Sequence, residues 1–271
     1  MRIAVCQMRS GADVGANLEE ADRLLKESAD VGADVTILPE LFPYLGPRSG
    51  VPDVAEELPG GPVASMLSNA AARAGMWVVG GSVHEREDGR IYNTQPLFDR
   101  SGELVARYRK IHLFDVELDG QPPFRESATF TPGTELVTHQ LEDVRVGLAT
   151  CYDVRFPELF RGLMVLGAEL LTLPAQFQHQ TGVAHWEVLL RARAIENQCF
   201  VAAAAQWGEF GEPATRRSHG HSMVVGPWGD VLVEAPEEGS GVWSADVDPA
   251  ELRRVRALLP ALEHRRLGLT C

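Results

Sequence analysis

Three polar residues follow apolar runs that are typical of buried strands, and their side chains together could perform acyl-transfer chemistry. Glu40 closes the run VTILPE, Lys110 closes LVARYRK, and Cys151 follows VGLAT. Loops at strand ends are where α/β proteins usually place functional residues. A carboxylate can take the proton of a thiol, and a lysine can hold the anionic oxygen of a tetrahedral intermediate and lower the pKa of the thiol. The three residues therefore indicate a cysteine nucleophile supported by an acid and an ammonium group.

Each of these residues also has a purely structural interpretation. Cys151 could be a small buried hydrophobe, because free cysteine is among the most buried residue types. Glu40 and Lys110 could be solvated loop residues. Residue type alone leaves both interpretations open, and the choice depends on whether the fold brings the three side chains together.

Other site chemistries find less support in the sequence. The segment GHSMV (220–224) departs from the serine hydrolase motif G-x-S-x-G at its last position. No papain-type sequence surrounds Cys151, and no glycine-rich phosphate loop occurs. His219 and His221 stand two residues apart, but a zinc site needs more ligands at a recognisable spacing. We therefore expect no metal and no other cofactor.

The elements that must position these residues alternate between strands and amphipathic helices. Helical patterns are predicted over 16–31, 62–74, 157–167, 183–198 and 249–258. Strands are predicted over 2–8, 34–40, 76–85, 92–100, 103–110, 144–150, 168–175, 199–208, 221–229 and 241–248. The turn at Ser101-Gly102 makes two of these strands a hairpin. Alternation combined with a hairpin predicts an α/β fold with mixed sheets.

No linker long enough to separate domains occurs, so residues 1–271 are expected to form a single domain. Segments 43–53 and 209–220 have the composition of surface loops. The predicted helix 183–198 carries one apolar stripe, formed by Ala184, Val188, Ala192 and Ile195.

Composition excludes several classes of function. The formal net charge of −13 makes nucleic acid and anionic membrane surfaces poor partners. No apolar run approaches the roughly 18–20 residues of a membrane span.

The N-terminal run MRIAVCQM enters a strand pattern directly, so we expect no signal peptide. The cysteines, which lack paired spacing, favour a reducing, cytoplasmic setting; Cys6 and Cys199 are expected to be buried and inert, and Cys271 to be mobile.

Three blocks in register, LPE (38–40), YRKIHLFD (108–115) and CYDVRFPELFR (151–161), resemble the nitrilase superfamily of carbon–nitrogen hydrolases. The resemblance implies a four-layer α-β-β-α sandwich, association as a homodimer or a higher homo-oligomer, and a Glu-Lys-Cys triad without metal. It implies that Glu40 is the general base and Cys151 the nucleophile. Lys110 and the backbone N–H of Tyr152 would stabilise the oxyanion. The segment FRES (124–127) matches a block with an assisting glutamate, which points to Glu126.

Segments 182–208 and 220–229 resemble the omega-amidase and deaminated-glutathione amidase branch of that superfamily. The implied reaction is hydrolysis of a terminal amide of a small carboxylate-bearing substrate to a carboxylate and ammonia through a thioester. Arg155 is expected to bind the substrate carboxylate, because a guanidinium suits bidentate recognition, with a salt bridge to Asp153 or Glu158 as the alternative. Phe177 and Thr181 are further pocket candidates, whereas Trp186 is interpreted as core.

Several alternatives stay open at this stage. The same triad would serve an N-carbamoyl amino-acid amidohydrolase, an aliphatic amidase or a nitrilase. A superfamily member without activity could instead bind a metabolite or act as a scaffold protein.

Overall fold

The computed structural model of the protein describes residues 1–117, 123–210 and 216–267. Over these ranges the elements follow in the order β1 (Arg2–Gln7), α1 (Val14–Asp30), β2 (Val35–Ile37), α2 (Val51–Val54), α3 (Pro62–Ala74), β3 (Trp77–Val79), β4 (Val83–Glu87), β5 (Arg90–Phe98), β6 (Leu104–Arg109), β7 (Asp115–Val116), β8 (Phe124–Arg125), β9 (Thr138–Leu141), β10 (Val144–Leu148), α4 (Pro157–Val165), β11 (Leu170–Ala175), α5 (His179–Asn197), β12 (Phe200–Ala205), β13 (Trp207–Phe210), β14 (Arg216–His219), β15 (Met223–Val225), β16 (Val231–Glu234), β17 (Gly241–Asp246) and α6 (Pro249–Leu258). Short 3-10 helices cover Arg48–Gly50, Glu126–Ala128 and Cys151–Arg155.

The first sheet has the strand order β17-β1-β2-β3-β5-β4, and β6 pairs with β5. Strands β1, β2 and β3 are parallel, while β17 and β5 run antiparallel to their neighbours. Side chains alternate between the two faces of this sheet, as the pleat requires. Trp77 and Val79 join the core that faces the second sheet, and Val78 joins the cluster beneath the helices.

The second sheet has the order β16-β15-β12-β11-β10-β9, with β10, β11 and β12 parallel at its centre. These central strands are apolar along most of their length because both faces are covered. The two sheets pack face to face through one hydrophobic core, in which Val5 and Ile37 of the first sheet meet the cluster that contains Val146 and Leu173 of the second.

Helices form the two outer layers. Leu24 of α1 and Leu67 of α3 pack in the cluster on the outer face of the first sheet. Phe160 of α4 and Leu190 of α5 belong to the core of the second sheet. The architecture is a four-layer α-β-β-α sandwich with mixed sheets, which confirms the predicted fold class. Because one core joins both sheets, we propose that residues 1–271 form one domain.

Segment 76–85 forms two strands, β3 and β4, and the prediction of one continuous strand was wrong. The break lies at Gly81, whose φ of +54° suits glycine. A Cβ at this position would lie 2.1 Å from the carbonyl oxygen of Pro39. The close approach of the two backbones at this point holds the end of β2, where Glu40 is located.

The apolar stripe predicted for the helix 183–198 is present and faces outward. Val188 is 66% exposed and Ile195 49% exposed. The buried face of α5 instead carries Gly182, Trp186, Leu190, Arg193, Ala194 and Asn197. Two polar side chains are accommodated there because the Arg193 guanidinium donates to the carbonyl of Val154 at 2.9 Å and the Asn197 amide donates to the carbonyl of Arg193 at 3.0 Å.

The two segments predicted as surface loops are partly structured. Within 43–53, Tyr44 and Val51 are buried, and a 3-10 turn leads into α2. Within 209–220, β13 and β14 pair as an antiparallel hairpin, and 211–215 lie outside the described residues. Both segments form part of the pocket described below.

Cys6 and Cys199 are fully buried free cysteines, as predicted, whereas Cys271 lies outside the described residues. Burial raises the pKa of Cys6 to about 11 and that of Cys199 to about 12. None of the helices in the described ranges combines the length and the apolar character that crossing a membrane demands.

Candidate active site

Glu40, Lys110 and Cys151 come together at the ends of their strands, and all three are buried. Glu40 follows β2 after two residues, Lys110 follows β6 directly, and Cys151 begins the 3-10 helix after β10. The side chains are 3%, 2% and 6% exposed respectively. The Lys110 Nζ lies 2.8 Å from the Glu40 Oε1, and the other carboxylate oxygen of Glu40 accepts from the backbone N–H of Gln176 at 2.7 Å. The carboxylate is thus fixed from two sides.

Glu126 lies on the other side of the same lysine. Its Oε2 is 2.8 Å from the Lys110 Nζ and accepts from the backbone N–H of Phe114 at 2.6 Å. A buried lysine that contacts two carboxylates is held in one position, since both ion pairs would lose strong, desolvated contacts if the side chain moved. The structure therefore places Glu126 with the three residues at the strand ends.

Asn93 of β5 links the two carboxylates, and the sequence analysis missed it. Its side-chain amide donates to Glu40 Oε1 and to Glu126 Oε1, each at 2.9 Å. The signal was weak but present: Asn93-Thr94-Gln95 is a polar run in the middle of a strand, and all three residues are buried. Buried polar runs of this kind are expected to serve hydrogen bonding, because burial without partners is costly.

The backbone at Cys151 adopts a left-handed conformation with φ of +47°, which is unusual for a residue other than glycine. Asp153 secures the turn. Its carboxylate accepts from the backbone N–H of Thr150 at 2.8 Å and from the hydroxyl of Tyr108 at 2.7 Å. Strain that the surroundings hold in place is typical of functional sites. The backbone N–H of Tyr152 lies in the first turn of the helix, where N–H groups have no acceptor within the helix.

Burial raises the pKa of the Cys151 thiol well above its usual value; the negative charge of Glu40 raises it further, and Lys110 opposes this. Burial alone would lower the pKa of Lys110, but the carboxylates of Glu126 and Glu40 raise it well above its usual value. The resting site therefore combines a protonated thiol with a positively charged lysine at neutral pH.

A cavity of about 400 Å³ opens over these groups. It brings together all the residues that the sequence predicted for the site: Glu40, Lys110, Glu126, Cys151, Tyr152, Arg155, Phe177 and Thr181. Its walls also include residues that sequence reasoning did not select, namely Leu41, Tyr44, Leu45, Gly46, Pro47, Arg48, Val51, His84, Phe114, Pro123, Phe124, Thr129, Phe130, Gln176, Gln178, Phe210 and Arg216. A cavity of this size suits a small organic substrate.

Arg155 borders the cavity and has no carboxylate partner in the described part of the chain. Its guanidinium lies 3.1 Å from a ring nitrogen of His185 and 5.0 Å from the ring centroid of Phe177. The alternative of a salt bridge to Asp153 or Glu158 is not realised, and Asp153 is instead occupied with the turn at Cys151.

Phe177 and Thr181 also line the cavity. Phe177 is buried against Trp186, with ring centroids 4.9 Å apart, and the interpretation of Trp186 as a core residue is confirmed by its 1% exposure. The hydroxyl of Thr181 donates to the carbonyl of Gln178 at 3.2 Å.

The sequence matches the family model described as carbon-nitrogen hydrolase over residues 2–257. The chain belongs to this family. It is 44% identical over 273 residues to the deaminated glutathione amidase of Mus musculus, covering 98% of this chain and 84% of that protein. It is 38% identical over 268 residues to the omega-amidase NIT2 of Bos taurus, covering 99% of this chain and 96% of that protein.

Among solved structures, that of Saccharomyces cerevisiae Nit3, described as a member of branch 10 of the nitrilase superfamily, is similar with a TM-score of 0.88. The identity is 30%, and the match covers 98% of this chain and 97% of that chain. The resemblance read from the three sequence blocks, to the omega-amidase-like branch of the nitrilase superfamily, is confirmed. The protein is a hydrolase that acts on carbon–nitrogen bonds other than peptide bonds.

Proposed function

We propose that this protein is a cysteine amidase that hydrolyses the amide of a small carboxylate-bearing substrate of the deaminated-glutathione or 2-oxoglutaramate type. The observation that carries the proposal is a single buried lysine, 2.8 Å from each of two glutamates, beneath a cavity that also contains Cys151. The names of the relatives support the substrate class. The products are a carboxylate and ammonia, or the amine carried by the amide nitrogen.

The first half of the reaction moves one proton and one charge. Glu40 takes the thiol proton as the Cys151 Sγ attacks the amide carbon, so no free thiolate accumulates beforehand. The negative charge passes from Glu40 through sulfur to the amide oxygen, where Lys110 and the backbone N–H of Tyr152 stabilise it. The protonated Glu40 then delivers its proton to the leaving nitrogen, the carbon–nitrogen bond breaks, and a thioester remains on Cys151.

The second half uses the same groups. A water molecule gives one proton to Glu40 as its oxygen adds to the thioester carbon. The carbon–sulfur bond then breaks, Glu40 returns the proton to the Cys151 sulfur, and the acid product leaves and ionises in solvent. Asn93 hydrogen-bonds to Glu40, and Glu126 contacts both Asn93 and Lys110, so both residues position the reacting groups. Loss of one oxyanion donor typically costs about 10²–10³ in rate.

Arg155 is proposed to bind the substrate carboxylate. It borders the cavity four residues after the nucleophile and lacks a carboxylate partner among the described residues. A planar guanidinium can accept a carboxylate through two parallel hydrogen bonds. Phe177 and Thr181 are proposed to line the same end of the substrate site.

A panel of amides tests the proposed function. Deaminated glutathione, 2-oxoglutaramate, glutamine, asparagine, aliphatic amides and N-carbamoyl amino acids would be compared by kcat/KM. Preference for the first two supports the proposal. Carbon dioxide release from N-carbamoyl amino acids would instead identify an N-carbamoyl amidohydrolase, and no turnover of any compound would favour a binding or scaffold protein.

We further propose that the protein is a cytoplasmic homodimer or higher homo-oligomer. The outward-facing apolar stripe of α5 supports association, because Val188 and Ile195 lie on one helix face and are 66% and 49% exposed, and exposed apolar patches often mark interaction sites. Sedimentation of the protein and of Val188→Glu tests this. A dimer that dissociates in the variant agrees with the proposal, and a monomeric parent protein contradicts it.

A further inference from the structure

Two arginines at the rim of the cavity are unexplained by the reaction as described. Arg48 belongs to the 3-10 turn of segment 43–53, and Arg216 begins β14. Both line the cavity, and the guanidinium carbons lie 4.8 Å and 4.4 Å from the ring centroid of the same residue, Phe124. Two segments far apart in sequence thus bring like charges to one ring.

Neither guanidinium has an acidic partner or a hydrogen-bond acceptor in the described ranges. Contact with an aromatic face uses none of the five N–H donors of an arginine. Burial lowers the pKa of Arg216, and the positive charge of Arg48 lowers it further. Placing two cations together without an anion costs free energy, and a bound anion would remove that cost.

The charge of the cavity contrasts with that of the whole chain. Among its described lining residues, four side chains are cationic, Lys110, Arg48, Arg155 and Arg216, and two are anionic, Glu40 and Glu126. The chain as a whole carries a formal net charge of −13. A cleft lined by positive charges focuses the electrostatic potential there and attracts anionic ligands, even in a protein that is acidic overall. Lys110 is neutralised by its two glutamates, so the excess positive charge comes from the arginines.

A row of aromatic rings separates Arg155 from this pair. The Arg155 guanidinium carbon lies 5.8 Å from the ring centroid of Tyr152. The ring centroids of Tyr152 and Phe114 are 4.9 Å apart, and those of Phe114 and Phe124 are 5.8 Å apart. These two ring-to-ring steps allow at most about the length of three extended residues, ~10 Å, between the rings of Tyr152 and Phe124. The cavity therefore presents cationic groups at two ends, joined by an apolar wall suited to a short chain.

We propose that Arg48 and Arg216 form a second anion-binding subsite and that the preferred substrate is an amide with a carboxylate at each end. This inference rests on the proposed function. Arg155 takes the carboxylate of the acyl portion, next to Cys151, and the arginine pair takes a carboxylate carried by the amine portion, as in a short peptide joined through its nitrogen. Hydrolysis adds one water, breaks the carbon–nitrogen bond, and releases the acyl portion as a dicarboxylate and the amine portion as a free peptide.

A matched pair of substrates tests the subsite. Deaminated glutathione ends in a glycine carboxylate, and its C-terminal carboxamide has the same shape without that charge. We expect wild-type protein to prefer the substrate with the glycine carboxylate over its carboxamide by about tenfold in kcat/KM, since hydrogen bonds to a charged group are stronger than those between neutral groups. In Arg48→Gln/Arg216→Gln we expect the ratio to fall to about two or less. Rising salt should reduce the wild-type ratio, because the rim is partly exposed to solvent.

Arg253→Gln is the matched control for Arg48→Gln, because each substitution removes one positive charge and Arg253 lies at an exposed position of α6. Its ratio should equal that of the wild type. Arg48→Gln alone keeps the test valid if the Arg216 substitution disturbs β14, and it should lower the ratio partially. Equal hydrolysis of the two substrates by wild-type protein, or an unchanged ratio in the double variant, would overturn the subsite.

The wild-type protein is also assayed with 2-oxoglutaramate, which has no amine-side carboxylate. Turnover of this compound without discrimination within the matched pair refutes the subsite and leaves the amidase intact. No turnover of any of the three compounds overturns the proposed function itself.

Discussion

The amide of Asn93 is the shared donor of two buried carboxylates, and replacing it with a carboxyl group of the same shape gives a sharp test of the cluster. In Asn93→Asp the two hydrogen bonds to Glu40 and Glu126, each 2.9 Å long, are lost. A third acidic group then lies beside two others that share one lysine. Asn93→Leu removes the same hydrogen bonds without adding charge, and is the matched control.

The magnitude follows from the contacts. A hydrogen bond to a charged group contributes about 1.5–3 kcal/mol, so the loss of two should lower the free energy of unfolding by about 3–6 kcal/mol in Asn93→Leu. In Asn93→Asp, burial and the neighbouring carboxylates must raise the pKa of the new acid in the folded state above its unfolded value of about 3.9.

The sign of the pH effect is fixed by that shift. Between pH 4 and the raised pKa the folded state binds one more proton than the unfolded state, so stability relative to wild type falls as pH rises, by about 1.4 kcal/mol per pH unit. At pH 5 the protonated acid can donate one hydrogen bond, and Asn93→Asp should be more stable than Asn93→Leu. At pH 8 the order should reverse.

Urea unfolding of wild type and both variants at pH 5, 6, 7 and 8, followed by tryptophan fluorescence, measures these differences. Plotted against pH, the unfolding free energies of Asn93→Asp and Asn93→Leu should cross between pH 5 and pH 8. Parallel stability profiles for Asn93→Asp and Asn93→Leu, or an Asn93→Asp protein within about 1 kcal/mol of wild type at pH 8, would refute the described cluster.

Three further predictions concern recognition and titration. Arg155→Lys should raise KM steeply for acidic amides and spare neutral ones, because a lysine cannot form the bidentate contact; steady-state kinetics that show equal losses for both would contradict the role. Burial lowers the pKa of His84 to about 4, so as pH falls from 6.5 to 4 the wild type should lose roughly 3 kcal/mol more unfolding free energy than His84→Gln, in which the other titrating groups are unchanged. Urea unfolding over that range checks it, and equal losses in both proteins would count against it. Burial raises the pKa of Cys151, so its alkylation by iodoacetamide should keep accelerating with pH beyond 8.5, while the fully buried Cys6 and Cys199 stay unmodified; peptide mass spectrometry that finds a plateau below pH 8 would disagree.

The sequence was most informative where a polar residue directly ends an apolar strand. Glu40, Lys110 and Cys151 could be singled out because polar residues at the ends of apolar strands are conspicuous. That they meet could not be predicted from one sheet alone, because β2 and β6 belong to the first sheet and β10 to the second. The alternation of helices and strands was sufficient for the fold class, because period and length distinguish the two kinds of element.

Helix α5 shows where periodicity fails. Its apolar residues at 184, 188, 192 and 195 have regular spacing, yet the buried face includes Arg193 and Asn197. The hydrogen bond of Arg193 to the carbonyl of Val154 offsets the cost of burial, and that contact depends on the tertiary fold. A pattern of apolar residues cannot distinguish a face that packs on a sheet from a face that is left on the surface.

Residues inside strands or in irregular segments were the ones missed. Asn93 lies mid-strand, and its importance comes from Glu126, which is 33 positions away in sequence. Arg48 and Arg216 meet at Phe124 only because two segments without a strong local pattern fold over the same cavity. Such long-range pairings have no local sequence signal.

The central claim is that Cys151 forms a thioester with the acyl portion of the substrate. Rapid acid quenching of wild-type protein with deaminated glutathione, followed by intact-protein and peptide mass spectrometry, tests it directly. We predict an adduct of the acyl portion on the peptide that contains Cys151, sensitive to hydroxylamine. Cys151→Ala should fold with an unchanged circular dichroism spectrum and show neither adduct nor turnover. Turnover by Cys151→Ala, or an adduct on any other residue, would contradict the account.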